Sequence, residues 1–340
     1  MKRALVAGAA AIAALMVLEV ALRLGDYATP DLYQLDPDLG WSLRRHKSGW
    51  YMGEEGRVRV AVNTAGFRDR EHKLDKPGPV YRIAIVGDEY SQAPSVALQD
   101  TWWWRLEPKL QQCDFQPGKL VEVLNFGVSG YGTAQELVLL QTTVMRYAPD
   151  LVLVQFAPDD VADNSYALAR NKLRPFYSLD VHGVPRIDES FVAAREFDRH
   201  MQTRYRLAAE IGDHVRSFQL LRELARSTFI APAHAELVAP TGPAYEDAWR
   251  ITEVLLAKMT DFARRNGAEL ALVAVPAPNP SYRNPDLEAL GARLGVRVIA
   301  LAPAMQDAYY RPSGAWTAQG HHAASAAVAA RLCGATARPD

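Results

Sequence analysis

Arg82-Ile83-Ala84-Ile85-Val86-Gly87-Asp88-Glu89 is the stretch of sequence that decides the fold. It is a short apolar run rich in β-branched residues, which ends at a glycine and is followed at once by two acidic residues. Short runs of this kind between amphipathic helical patterns are typical of buried parallel strands. Four more runs occur later in the chain, at 121–126, 151–156, 270–275 and 296–299. The sequence therefore predicts an α/β fold with a five-stranded parallel sheet between two layers of helices.

The sequence after the first 24 residues divides into a lead-in segment and a main domain, which contains these runs and a long insertion. Residues 25–79 form an irregular lead-in segment, and residues 80–335 form the main domain. Within that domain, the segment from about 163 to 243 is far longer than the dozen residues that a crossover between parallel strands needs. It combines a turn-rich part with a long helical pattern. We therefore predict a helical insertion above the sheet.

The first 24 residues predict a membrane anchor. Lys2 and Arg3 form a basic flank, and an apolar stretch from Ala4 to Leu24 follows. This stretch is about as long as a membrane span needs, and it lacks a clean cleavage site. We expect an uncleaved signal anchor, with the basic end inside and the remaining chain on the periplasmic or extracellular side. A cleaved signal peptide and a buried N-terminal helix are the alternatives.

The composition excludes some classes of protein. The chain has 38 Lys and Arg against 39 Asp and Glu, for a net charge of -1, so no basic surface for nucleic acid is predicted. Its two cysteines, Cys113 and Cys333, lack the CxxC spacing and the histidine cluster of a zinc site. No cofactor is expected.

Polar residues follow several of the predicted strands. Three strand ends carry glycine or acidic residues, at 87–89, 127–132 and 157–160, and a fourth polar block at 313–322 opens the last helical pattern. Ligands in open α/β sheets bind beyond the carboxyl ends of the strands. The order of these blocks resembles that of the SGNH (GDSL-type) hydrolase superfamily, and the match runs from Asn63 to Leu332 outside the insertion. It is closest to membrane-anchored members associated with envelope polysaccharides.

The resemblance also shows what this chain lacks. Glu89 stands where the family has its nucleophilic serine, and Asp159 replaces the asparagine of the oxyanion hole. Ser313 and Ala315 occupy the acid and base positions of the catalytic triad. Of the residues that define the superfamily, only the oxyanion-hole glycine, Gly130, is kept. No catalytic residue is therefore expected.

Neighbouring residues do not obviously replace the triad. His321 lies six residues after Ala315, which is about 9 Å along a helix and too far to act as the base. Ser91 and Ser129 lack an adjacent base and are suited to turns and caps. A carboxylate nucleophile at Glu89 is suited to glycosyl chemistry rather than to ester hydrolysis.

Four acidic residues and one tryptophan complete the predicted ligand site. With Gly130, the predicted ligand contacts are Asp88, Glu89, Asp159, Asp160 and Trp316. The four carboxylates are also a weak candidate set for a hard cation such as Ca²⁺, although no metal is our primary expectation. The alternative interpretation is an acidic cleft that hydrogen-bonds sugar hydroxyls. For Trp316, burial in the core is an equally good interpretation.

The resemblance implies a flavodoxin-like, doubly wound sheet with strand order 2-1-3-4-5. In that order the helix after the first strand and the last helix share one face. Cys113 and Cys333 lie at the same ends of these helices, and we predict that they form a disulfide in an oxidising compartment.

The sequence thus predicts a membrane-anchored, exported SGNH-like protein without esterase activity. It would bind or scaffold envelope polysaccharide or an acylated glycan, in contact with the membrane and with the polysaccharide machinery. Two alternatives remain open. One is an active esterase or O-acyltransferase with a non-standard site, and the other is a carboxylate-based glycan-active enzyme, with two carboxyl groups about 5–10 Å apart.

Overall fold

The computed structural model describes residues 2–54, 56–201, 203–229, 242–276 and 287–334. Its strands are, in chain order, β1 Tyr33–Asp36, β2 Gly40–Leu43, β3 Ser48–Gly53, β4 Gly56–Ala61, β5 Val80–Val86, β6 Leu120–Asn125, β7 Leu151–Phe156, β8 Phe176–Leu179, β9 Pro185–Asp188, β10 Glu269–Ala274 and β11 Arg297–Ala300. Its α-helices are α1 Lys2–Leu24, α2 Glu89–Gln92, α3 Trp102–Gln112, α4 Thr133–Thr142, α5 Asp160–Asp163, α6 Arg195–Met201, α7 Thr203–His214, α8 Arg216–Phe229, α9 Pro243–Arg265, α10 Leu287–Leu294 and α11 Ala318–Gly334.

The central sheet has five parallel strands in the order β11-β10-β7-β5-β6. All its neighbouring strands pair in parallel, and β5 lies between β6 and β7. Counted from the other edge, the five strands follow the order 2-1-3-4-5. The predicted fold class, a doubly wound three-layer α/β/α fold, is therefore confirmed.

Helices cover both faces of the sheet. On one face, α3 and α11 pack together over a core that contains Trp102, Trp103 and Leu332. On the other face, α4 and α9 pack over a second core, which includes Leu137 and Leu256. A disulfide joins the ends of α3 and α11, between the two cysteines that were predicted to pair. The S–S distance of Cys113–Cys333 is 2.02 Å and the Cα–Cα distance is 6.1 Å.

The lead-in segment is anchored to the main domain by a buried arginine. Arg68 is 1% exposed. Its guanidinium donates hydrogen bonds to the main-chain carbonyls of Gln92 and Val96, which follow the turn after β5. Burial lowers the pKa of Arg68 to about 10, so this side chain stays charged at neutral pH. The segment before the sheet therefore supports the loop in which the candidate site begins.

A buried ion network lies near the amino end of β5. Arg82 is fully buried, and its Nε donates to Glu122 Oε2 at 2.7 Å. His72 contacts Glu122 Oε1 at 2.7 Å and Asp69 Oδ2 at 3.0 Å. The guanidinium of Arg82 also donates to main-chain carbonyls, those of Lys73, Leu74 and Tyr147. We call Arg82, Glu122, His72 and Asp69 the Arg82 network.

The segment between α5 and α9 contains the hairpin β8–β9 and the helices α6, α7 and α8. The long helical pattern predicted within the insertion is thus divided into three helices. One division falls between His214 and Arg216, where Glu19 of α1 accepts hydrogen bonds from the main-chain N–H groups of Arg216 and Ser217. Residues 230–241, the end of the predicted insertion, lie outside the described residues.

Helix α1 matches the predicted anchor in extent. Its residues Leu5–Leu24 have a mean hydropathy of 2.4, and none of this stretch is buried against the rest of the protein. By length and composition this helix is able to cross a membrane, and a signal sequence has the same properties. That the domain lies on the periplasmic or extracellular side of the membrane stays a prediction from the sequence.

Candidate functional site

A tight turn after β5 carries the first block of the site. Asp88 Oδ1 accepts a hydrogen bond from Tyr90 N at 3.0 Å and so begins the short helix α2. A Cβ atom on Gly87 would lie 2.5 Å from Gln155 Oε1, so the close approach of the neighbouring strand requires glycine here. Ser91 is buried, and its Oγ donates to Gln155 Oε1 at 2.9 Å. Ser91 therefore has a structural position, beneath the turn.

The turn after β6 packs directly against this one. A Cβ atom on Gly127 would lie 2.4 Å from Ser91 Cβ, so this glycine also permits close approach. Ser129 N donates to Gln92 Oε1 at 2.6 Å, which fixes the loop. Gly130 has a φ of 76°, in the left-handed region that favours glycine. This geometry accounts for the glycine at position 130. The proposed oxyanion role of Gly130 stays a prediction.

The three positions that the resemblance assigns to the triad come together around one pocket. Glu89, Ser313 and Ala315 all line a cavity of about 480 Å³, together with Ser129. The remaining lining residues are Tyr33, Tyr51, Met52, Gly53, Glu54, Pro94, Ser95 and Arg311. The loop that carries Ser313 is tied to the first block, because the hydroxyl group of Tyr90 donates to the carbonyl of Gly314 at 3.2 Å. The order of blocks in the sequence thus predicts which residues meet in space.

Five carboxyl groups are concentrated beneath and beside this pocket. Asp88, Glu89 and Asp159 offer oxygen atoms that lie within 4.8 Å of one another. Asp160 and Glu136 are fully buried and interact electrostatically with Asp88. Asp160 Oδ2 accepts a hydrogen bond from Ala157 N at 2.8 Å, whereas neither carboxyl oxygen of Glu136 has a hydrogen-bond partner among the described residues. We call these five residues the acid cluster.

The environment of four members of the acid cluster favours their protonated form. Burial, followed by the charge of Glu89, raises the pKa of Asp159 to about 8. Burial raises the pKa of Glu136 to about 8 as well. Burial and neighbouring carboxylates place the pKa values of Asp88 and Asp160 well above their ordinary range. At neutral pH the cluster is therefore largely protonated, because a like charge nearby and a low dielectric both disfavour ionisation.

This result changes the interpretation of Asp159. The sequence suggested a second negative charge where the superfamily stabilises an oxyanion. A carboxyl group with a pKa of about 8 is mainly neutral at pH 7 and donates a hydrogen bond rather than repelling an anion. The charge in the pocket is further offset by Arg311, whose side chain lines the same cavity as Glu89.

Several predicted ligand contacts are wrong as direct contacts. Asp88 is 2% exposed and Asp160 is 1% exposed, so neither presents its carboxyl group to the pocket. Trp316 is also 1% exposed and packs against Tyr90, with ring centroids 4.6 Å apart. It belongs to the core under the pocket, in agreement with the alternative considered for it. Glu89 and Asp159 are half-buried and remain accessible candidates.

Neither histidine of the last helix replaces the missing base. His321 is buried, and its ring packs edge-on against Trp316 at 5.4 Å. Burial lowers the pKa of His321 to about 3, so its imidazole stays neutral. His322 Nε2 lies 3.2 Å from Asp100 Oδ1, outside the set of residues that line the pocket. Among the described residues, no histidine lines this pocket.

Sequence reasoning missed three kinds of site residue. Tyr33 and Tyr51 reach the pocket from the lead-in segment, and Arg311 reaches it from the loop before α11. No periodic pattern marks these positions. Glu136 could have been noticed, because it directly precedes a run of four apolar residues, at 137–140, in the same helix. A charged residue there indicates either a partner or a raised pKa.

No family model matches the sequence, and no curated protein matches it. Among solved structures, the chain is similar to one titled TesA, with 16% identity, a TM-score of 0.41, and coverage of 73% of this chain and 95% of that one. It is similar to a lipase/acylhydrolase from Enterococcus faecalis, with 13% identity, a TM-score of 0.41, and coverage of 75% and 96%. A GDSL-like lipase from Bacteroides thetaiotaomicron gives 14% identity, a TM-score of 0.38, and coverage of 78% and 93%.

The likeness concerns the fold alone. The strand order and the position of the four blocks at the carboxyl ends of the strands come from this chain itself.

Proposed function

We propose that this protein is a membrane-anchored, SGNH-like binding protein that has lost esterase chemistry and recognises envelope polysaccharide or an acylated glycan. The observation that carries the proposal is the composition of the pocket. Glu89, Ser313 and Ala315 stand together where a serine, an acid and a histidine base would be needed. Ester hydrolysis requires a base within hydrogen-bond reach of the nucleophile, and the described lining contains none of the usual kind.

The remaining lining supports a polar, hydroxyl-rich ligand. Tyr33 and Tyr51 contribute aromatic rings with hydroxyl groups, and Ser129 and Ser313 contribute short polar side chains. Arg311 adds a guanidinium, which is able to bind a carboxylate or to donate to sugar oxygens. A few polar groups that converge on a concave surface are typical of small-ligand sites. An acidic or acylated sugar fits this set.

The absence of esterase activity is tested by restoring the triad. The wild-type full chain and the combined variant Glu89→Ser, Ser313→Asp, Ala315→His are assayed for release of acetate from acetyl esters and from acetylated polysaccharide. We expect no turnover above background for the wild type, and measurable turnover for the variant if its side chains reach the superfamily geometry. Wild-type turnover would overturn the loss of catalysis.

Ligand binding is tested separately by filling the pocket. Ala315→Trp places a large ring into the cavity, whereas Ala326→Trp adds the same ring on the exposed face of α11. Binding of acidic and O-acetylated glycan fragments is measured by calorimetry. We expect Ala315→Trp to abolish binding and Ala326→Trp to leave it unchanged. Equal binding by both variants would contradict the assignment of this pocket.

One observation favours a second candidate, a carboxylate-based glycan-active enzyme. Glu89 and Asp159 lie within 4.8 Å, and Asp159 has a pKa of about 8, which suits a general acid. Retaining glycosidases place two carboxyl groups at about 5–5.5 Å. Asp159 is not among the residues that line the pocket, so this candidate ranks second. Release of reducing sugar by the wild type but not by Glu89→Gln would support it.

A further inference from the structure

An apolar surface runs along the two longest helices of the insertion. Its residues are large and between 45% and 61% exposed: Leu207 and Ile211 on α7, and Phe218, Leu221 and Leu224 on α8. Successive helical residues are about 100° apart, so the three residues on α8 fall within a stripe about 120° wide. The opposite side of α8 is polar and buried, because Gln219 accepts a hydrogen bond from Thr29 N. We call these five residues the insertion stripe.

The insertion stripe begins where the anchor helix ends. Near the carboxyl end of α1, Glu19 accepts hydrogen bonds from Arg216 N at 3.0 Å and from Ser217 N at 2.8 Å. Arg23, one turn later, donates to the carbonyl of His214 at 2.6 Å. The start of α8 is therefore capped by the anchor helix rather than by its own residues. These hydrogen bonds join α1 directly to the insertion.

We propose that α7 and α8 lie on the membrane surface, with the insertion stripe in the boundary between lipid headgroups and acyl chains. The proposal rests on the proposed function in one respect, namely that α1 spans the bilayer. If it does, the hydrogen bonds of Glu19 and Arg23 hold the start of α8 at the level where the span leaves the lipid. An apolar stripe on a helix with a polar opposite face is the pattern of an interfacial helix.

A bilayer explains this surface better than a second copy of the chain does. Helix α1 contacts α8, and the apolar stretch of α1 has no cover from the rest of the described protein. Because the hydrogen bonds of Glu19 and Arg23 join α1 to the start of α8, a bilayer around α1 lies beside the insertion, and lipid is the solvent for which the surface of α1 is already suited.

This placement also brings the ligand pocket close to the membrane. Arg222 of α8 donates to the carbonyl of Thr29, four residues before the pocket-lining Tyr33. Glu223 of α8 interacts electrostatically with Tyr51, which lines the pocket as well. A helix that rests on lipid thus holds one wall of the pocket beside the bilayer. The ligand then binds at the membrane surface, which suits a lipid-linked or membrane-adjacent glycan.

The test is a depth measurement on the full chain in phosphatidylethanolamine and phosphatidylglycerol vesicles. Both native cysteines are held in the disulfide, so one added cysteine accepts a fluorescent label selectively under non-reducing conditions. Leu221→Cys reports on the stripe, and Leu120→Cys is the matched control, an exposed leucine at the start of β6 with 63% exposure. Leu15→Cys reports on the anchor. Quenching by lipids brominated on their acyl chains is compared with quenching by aqueous iodide.

We expect the label at position 221 to be quenched several-fold more by brominated lipid than the label at position 120, and less by iodide. Equal behaviour at the two positions would overturn the proposal, provided that the label at position 15 is lipid-quenched. A label at position 221 shielded from both quenchers would show a protein partner and would also overturn it. If position 15 itself is aqueous, the anchor has failed, and the proposal fails with it.

Discussion

Ionisable side chains are buried near both ends of strand β5, and their charge is neutralised in a different way at each end. At the amino end, the positive charge of Arg82 meets Glu122, and His72 bridges Glu122 to Asp69. At the carboxyl end, Asp88 belongs to an acid cluster of five carboxyl groups. One end is neutralised by opposite charge, whereas the other is neutralised by protons.

The pKa values record this difference. Burial alone would raise the pKa of Glu122, but hydrogen bonds from His72 and Arg82 lower it to about 2. Burial raises the pKa of Glu136 in the acid cluster to about 8. Buried groups that serve only stability are usually paired, and groups with raised pKa values concentrate at functional sites. The comparison therefore supports the carboxyl end of β5, rather than the amino end, as the candidate site.

The largest expected effect comes from breaking the paired end. Arg82→Met removes the fully buried guanidinium, which pairs with Glu122 and donates to four carbonyl groups. Breaking a buried ion pair from one side costs about 3–5 kcal/mol of unfolding free energy. Chemical unfolding followed by circular dichroism measures this loss. Arg297→Met, at an exposed position on β11, is the control and should change stability by less than about 0.5 kcal/mol.

A smaller loss is expected from Glu122→Gln. The variant keeps the shape but removes the charge that faces Arg82, at a cost of about 2 kcal/mol at pH 7. Because the folded-state pKa of Glu122 is about 2, below its ordinary value of 4.5, its charge stabilises the fold above about pH 4.5. This contribution is lost as the pH falls toward 2. Unfolding curves of wild type and variant should therefore converge in acid, and a constant difference would contradict the pairing.

Glu136→Gln should raise the stability of the protein at high pH, whereas the two preceding variants lower it. The folded-state pKa of Glu136 is about 8, above its ordinary value of 4.5, so wild-type stability falls as the pH rises from about 4.5 to 8. Glutamine does not ionise, and the variant should be more stable than the wild type by about 1 kcal/mol at pH 9. Thermal melting between pH 5 and 9 measures this difference. A variant that is less stable at pH 9 would show that the Glu136 carboxylate has a cationic partner.

The smallest expected effect concerns divalent cations. Because protons neutralise most of the acid cluster at pH 6, we expect no change in melting temperature when Ca²⁺ or Mg²⁺ is added at that pH. A clear rise in the wild type that is absent in Glu89→Gln would show that Asp88, Glu89 and Asp159 form a cation site after all. The comparison between the two ends of β5 would then lose its basis.

Most of the fold could be predicted from the sequence, because the strands and helices are marked by local patterns. Apolar runs that end at Gly87 and Gly127 marked two neighbouring strands, and both glycines prove to be required by close packing around Ser91. The order of the blocks also indicated that Glu89 and Ala315 would face one pocket.

Other parts of the site depend on the directions in which side chains point, which cannot be read from the sequence. Trp316 and Ala315 are consecutive, yet one side chain enters the core and the other lines the pocket. Tyr51 and Arg311 come from segments without periodicity, so only the folded chain shows that they meet. The raised pKa of Asp159 arises from its neighbours in space, and the sequence alone suggested a negative charge at that position.

The disulfide has a consequence for the order of events during synthesis. Cys113 and Cys333 are 220 residues apart, and the second of them belongs to the last helix. The bond is therefore impossible until all five central strands have been made. A truncated chain lacking α11 would keep Cys113 as a free thiol.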